Sequence, residues 1–79
     1  MQHFHMNVFT DLDAMDVEGL DLPDLDAAKG MATAGAREMI AADICVGKSV
    51  HQSHRVEITD HAGVVLHTVR FGDMVRLEP

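Results

Sequence analysis

The chain predicts an α+β domain of order β-β-α-β-β, with one long helix packed on one face of a small sheet of three to four strands. Three observations carry this. The N-terminal residues His3 to Phe9 alternate in polarity with period two. The stretch from Leu25 onward has helical periodicity and is bounded by an aspartate and a glycine. Near the C-terminus, two β-branched stretches flank the tight-turn sequence Asp60-His61-Ala62-Gly63.

In the opening strand Phe4, Met6 and Val8 face one way, and His3, His5, Asn7 and Phe9 the other. Thr10 to Asp16 reads as an Asp-rich loop, and Val17 to Leu20 as a second, brief strand returning along the first. Asp24 follows Pro23 and suits a helix N-cap, because its carboxylate can accept from unpaired N–H groups of the first turn. Asp26 then sits where the helix dipole favours negative charge. Leu22 is placed to staple the chain against Ala28 or its neighbours.

The helix is expected from Leu25 to Cys45 or Val46, ending at Gly47, which can take the left-handed conformation. At 100° per residue Leu25, Ala28, Ala32, Gly35, Ala36 and Met39 gather on one side, flanked by Ile40. That small-residue face allows close approach to the sheet. Gly30 and Gly35 each cost about 1 kcal/mol against alanine, so the helix depends on tertiary support. Lys48 to Ser53 reads as a polar connector. Arg55 to Thr59, with Val56 and Ile58 apolar, and Val64 to Phe71 read as strands. Gly63 supplies the positive φ of the turn between them. In the last strand Val65, Val69 and Phe71 share a face with His67, and Val64, Leu66 and Thr68 share the other. Residues 72–79 are expected to form a loose tail on the single domain 1–79.

Seventy-nine residues make room for one small core, and a domain of this size buries only roughly 60% of the surface its unfolded chain exposes. A metal or a partner chain often supports such domains. Disulfides cannot, since Cys45 is the only cysteine. A lone thiol fits a reducing compartment, and the start MQHFHMNVFTD lacks a basic, apolar leader, so cytoplasmic residence is expected. No uncharged stretch reaches the ~20 apolar residues of a membrane span. Thirteen acidic against six basic residues give a formal charge of −7, and the basic ones are scattered. Phosphate backbones repel such a surface, which argues against nucleic-acid binding.

The opening strand, Asp16-Val17-Glu18-Gly19, Leu22-Pro23-Asp24-Leu25, the row Ala28, Ala32, Ala36-Arg37-Glu38, then Thr59-Asp60-His61-Ala62-Gly63 and Phe71 together resemble the DUF6894 family. These are small bacterial proteins of unknown function, mainly from rhizobia and other alphaproteobacteria. The resemblance spans nearly the whole chain and rests on the order and spacing of motifs that are each generic. The chain departs from the family pattern at His5 and Met6, where aromatic residues are usual, and at Gly30. The resemblance implies the fold and no activity, cofactor or catalytic residue. The start of the helix also faintly resembles antitoxin domains of the HicB type, a fold-level analogy only.

For chemistry, His3-x-His5 and His51-x-x-His54 are the candidate metal ligands, since imidazole is a common ligand for Zn or Ni. Their spacing matches no known finger, and solvent-exposed histidines are the expected outcome. The acidic stretch Asp11 to Glu18 fails the calcium-loop pattern, having Asp16 where the central glycine belongs and Leu22 where the bidentate glutamate belongs. A solvated acidic turn is expected instead. Cys45 faces the negative end of the helix dipole and lacks the electropositive setting of a nucleophile. Ser49 and Ser53 beside His51 and His54 have no orienting acid or oxyanion hole in view. Met6, Met15, Met31, Met39 and Met74 suit gap-filling in the core or a soft binding surface.

The residues expected to carry the fold are Asp24, Leu25, Ala28, Ala32, Ala36, Met39, Val56, Ile58, Gly63 and Phe71. No catalytic residue and no cofactor is expected, and the chain does not read as an enzyme. Its expected role is a non-enzymatic interaction module that self-associates as a homodimer through its sheet. The alternatives are an antitoxin-like regulatory partner masking a basic protein, and a weak histidine-based metal binder.

Overall fold

The computed structural model describes residues 1–78. Its elements are β1 (Gln2–Phe9), β2 (Asp13–Ala14), β3 (Leu20–Leu22), α1 (Leu25–Cys45), β4 (Arg55–Thr59) and β5 (Val65–Arg70), followed by a 3-10 turn over Phe71–Asp73. All pairings are antiparallel. The order across the sheet is β2-β1-β4-β5, with β3 also pairing β1. The α+β class and the single long helix are as the sequence predicts. The N-terminal half differs in detail. The short return is two pieces, not one: β2 lies inside the stretch expected to be loop, and β3 begins where Val17 to Leu20 was expected to end. The order is therefore β-β-β-α-β-β.

The helix bounds follow from their caps. Asp24 is extended and its Oδ1 accepts from Ala27 N at 2.8 Å. At the far end Gly47 has φ +77, Gly47 N donates to Ile44 O and Lys48 N donates to Asp43 O. Those two crossed bonds satisfy carbonyls that the last turn leaves free.

Ala28, Ala32, Ala36 and Ile40 are buried at every fourth position of α1, and Leu25 and Met39 pack beside them. Phe4, Val56, Ile58, Val69 and Phe71 meet this row from the sheet side. Phe4, Ile58 and Phe71 are the largest fully buried side chains, each worth about 1.5–3 kcal/mol of transfer from water. The alanine row explains why so few large side chains suffice: methyl groups bring helix and sheet close, and little volume is left to fill.

The β4–β5 hairpin turns at Asp60–Gly63. Gly63 has φ +87 and donates to Asp60 O, and the Asp60 carboxylate accepts from both Ala62 N and Val64 N at 2.9 Å. Just past the turn, Ile58 pairs with His67 but Thr59 pairs with Val65. Leu66 is thus the extra residue of a β-bulge. The bulge resolves the two-sided apolar pattern of this strand. Val69 stays on the core face, while Val65 moves to the opposite face with Thr59. The cross-strand rows on that opposite face are His5/Thr59/Val65, Asn7/Glu57/Thr68 and Phe9/Arg55/Arg70. Arg55 stacks on the Phe9 ring at 4.4 Å and its Nε donates to Glu57 at 2.8 Å. The face without a helix is polar.

Two further expectations change. Residues 72–79 are not wholly loose, since Gly72 and Asp73 complete the 3-10 turn and Met74 packs on the core; Pro79 lies outside the described residues. Lys48 to Ser53 is not only a polar connector either, because Val50 also packs on the core. Met6, Met39 and Met74 are the gap-filling methionines, whereas Met15 and Met31 are exposed.

Candidate functional site

Four of the chain's six histidines gather in two places with opposite hydrogen-bonding character. The first is built on β1. Gln2–Phe4 pairs with β3 and Val8–Phe9 pairs with β2, which leaves His5, Met6 and Asn7 opposite the intervening loop. Asp16 fills that gap. Its Oδ2 accepts from Met6 N at 3.1 Å, its Oδ1 from Gly19 N at 2.9 Å, and its own N–H donates to Asn7 Oδ1 at 2.9 Å. One carboxylate thus takes the part of a missing strand partner. The Gly19 N–H, and after it Met6 N–H and the nearby His5 and His3, hold the Asp16 carboxyl below its ordinary pKa against the opposing effect of burial.

His5 Nδ1 donates to Asp16 O at 2.7 Å. His3 Nδ1 contacts Asp21 Oδ1 at 2.7 Å and His3 Nε2 contacts Glu18 O at 2.8 Å. A carboxylate and a carbonyl only accept, so both contacts are hydrogen bonds together only when both His3 nitrogens carry a proton. The Asp21 bond, and then the Glu18 carbonyl, raise the His3 pKa above its ordinary value. Gly19 (φ +74) passes so close that a Cβ would lie 2.5 Å from His3 Nε2 and 2.7 Å from Phe4 O. Neither His3 nitrogen is left for a metal.

The second place lies between the β1–β2 turn and the connector before β4. His54 is 8% exposed, in correction of the expected surface histidine. Its ring meets Phe71 edge to face at 5.9 Å and His51 at 4.8 Å between centroids. His54 N donates to His51 O at 3.1 Å and Phe71 N donates to His54 O at 2.8 Å, which fix its backbone. Its Nδ1 is buried without a hydrogen-bond partner, and its Nε2 stands 3.3 Å from Asp11 Oδ1. Asp11, His51 and His54 each offer one ligand atom, all within 4.8 Å of one another. Beside them a cleft of about 260 Å³ is lined by Thr10, Asp11, Met39, Asp43, Lys48 and His54.

The four candidate histidines are therefore split. His3 and His5 serve the β1 loop, and only His51 and His54 join a ligand group. Nothing in the sequence marks Asp11 as their neighbour, and Asp16, expected in a solvated turn, is half-buried. Asp16 did carry a local signal, an aspartate three residues before a glycine, which suits a side chain folding back onto its own loop. Asp11 carried none. Cys45 is exposed, and no helix among the described residues is long and apolar enough to cross a membrane.

A family profile described as a domain of unknown function, DUF6894, matches residues 3–72. No curated protein and no solved structure matches the chain.

Proposed function

Since the chain belongs to the DUF6894 family, whose description assigns no activity, we propose from its own surface that it is a non-enzymatic interaction module whose partner is a second copy, paired edge to edge along β5. The carrying observation is the asymmetry of the sheet's two edges. The β1 edge is covered by β2, β3 and the Asp16 loop. The β5 edge has no neighbouring strand among the described residues. Its approach is apolar, with Val64, Val65 and Leu66 at 56%, 49% and 40% exposure. An open edge of this kind presents unpaired backbone groups to another strand.

A second copy fits this edge for two reasons. An antiparallel pair of β5 strands about a twofold axis matches each edge with itself. In addition, Val64 to Phe71 contains no acidic residue, in a chain of formal charge −7. Two copies meet there with the least repulsion. Away from this edge, Asp16, His3 and His5 are engaged in holding the loop beside β1.

Light scattering across a concentration series tests the reading. A mass rising toward twice that of the 8.6 kDa chain is expected, more steeply at high salt as the net charge is screened. Leu66→Lys should return the protein to monomer with its circular dichroism unchanged. A monomer up to the solubility limit at every salt concentration would remove the proposal.

A further inference from the structure

We infer that Asp11, His51 and His54 form a binding site for one zinc-like divalent transition-metal ion, with the adjoining cleft supplying water for the remaining position. His54 is the anchor. Its ring is buried and held edge to face by Phe71, and the nitrogen it turns toward Asp11, Nε2, is the one placed to ligate. Its Nε2 to Asp11 Oδ1 distance, 3.3 Å, is longer than the ~2.7–2.9 Å of a charge-assisted hydrogen bond. It does match the ~3.3 Å edge of a tetrahedron whose metal–ligand bonds are about 2.0 Å.

The three groups come from two segments that the fold fixes independently. His51 and His54 are joined by the bond from His54 N to His51 O, and Phe71 packs against the His54 ring. Asp11 sits in the turn where Thr10 Oγ1 accepts from Leu12 N at 3.3 Å and donates to Leu12 O at 2.9 Å. His51 and Asp11 are exposed, so small side-chain rotations bring their ligand atoms from within 4.8 Å to bonding distance around an ion. Two imidazoles and one carboxylate form a borderline-soft donor set that suits zinc better than calcium or magnesium. Asp43 in the cleft adds negative charge, opposed by Lys48. Three ligands with an open position bind less tightly than a closed structural site.

Zinc titrated into tag-free, chelator-treated protein, followed by calorimetry, should give one ion per chain with a Kd on the order of micromolar. His51→Ala and Asp11→Asn change exposed side chains and should each weaken binding at least ~10-fold, with the metal-free thermal midpoint unchanged. His3→Ala, in the other cluster, should leave the affinity as it is. Any of three results would overturn the site: no saturable binding, half an ion per chain (a bridge between copies), or an affinity unchanged by both His51→Ala and Asp11→Asn.

Discussion

The two histidine clusters differ in what surrounds otherwise similar rings. At β1, His3 and His5 donate to a carboxylate and to carbonyls at 2.7–2.8 Å. Every polar group needed to hold the rings belongs to the neighbouring loop or to β3. At the connector, His54 lies deeper, against Phe71, yet one nitrogen has no partner and the other has only a 3.3 Å neighbour. Burial is therefore the poorer guide to availability for a ligand. Whether acceptors already occupy the ring nitrogens decides it: His54 is more buried than His3 or His5, yet its ring is the open one.

Both clusters hang on the same helix–sheet core, so the difference between them exists only while that core does. Ala32 is 2% exposed in the row that meets the sheet. Ala32→Glu buries an unpaired charge there with no room for its side chain. It should leave the chain unfolded at room temperature by circular dichroism and erase both clusters together. A thermal midpoint equal to that of the parent protein would show that the alanine row is not the packing face.

Gly19→Ala should break only the closed cluster. The φ of +74 disfavours any side chain, and the contact with the Phe4 carbonyl is with backbone that cannot rotate away. A loss of about 2–3 kcal/mol is expected. By hydrogen exchange, the amides of Met6 and Gly19 should lose protection, while Phe71 N, bonded to His54 O, keeps its own. Equal loss at all three amides would mean that the two regions are not independent.

The smallest effect is that of pH, and it sharpens the comparison. His3 has its pKa raised from 6.5 by Asp21 and the Glu18 carbonyl. Its contribution is fully present below about 6.5 and disappears as pH rises through the raised folded value. Asp16 is lowered from 3.8, so its contribution is present above that value and is lost as pH falls through the lower folded one. The groups facing His3 are Asp21, Asp16, His5 and His61, the last with its ring centroid 6.3 Å away. NMR of the Gly19 and Asp21 amides should show the loop loosening on both sides of a plateau between these windows. The change in thermal midpoint should be slight, because His3 is more than a third exposed. His3→Gln should abolish the alkaline arm and keep the acid arm. An alkaline arm that survives in His3→Gln would assign it to another group.

The helix was legible in full, from the Asp24 cap through the alanine row to Gly47, because capping and 3.6-residue periodicity are local. The β4–β5 hairpin was legible for the same reason, with Asp60 and Gly63 marking its turn. The first return along β1 was less so. β2 and β3 have only two and three residues, too short for periodicity to register, and what holds the chain between them is a side chain.

Within the clusters, the sequence determined which residue types were present and that His3/His5 and His51/His54 each lie close together, since only one and two residues separate them. Tertiary structure alone decided which pair is closed. The partners of His3 and His5 lie 11 to 18 residues away, and Asp11 lies more than 40 residues from His54. It also decided that Val65 leaves the core, because a bulge shifts the alternation by one residue without any change in composition. Local rules act over a few residues, whereas the state of a ring nitrogen depends on whatever group the sheet's register carries to within 3 Å of it.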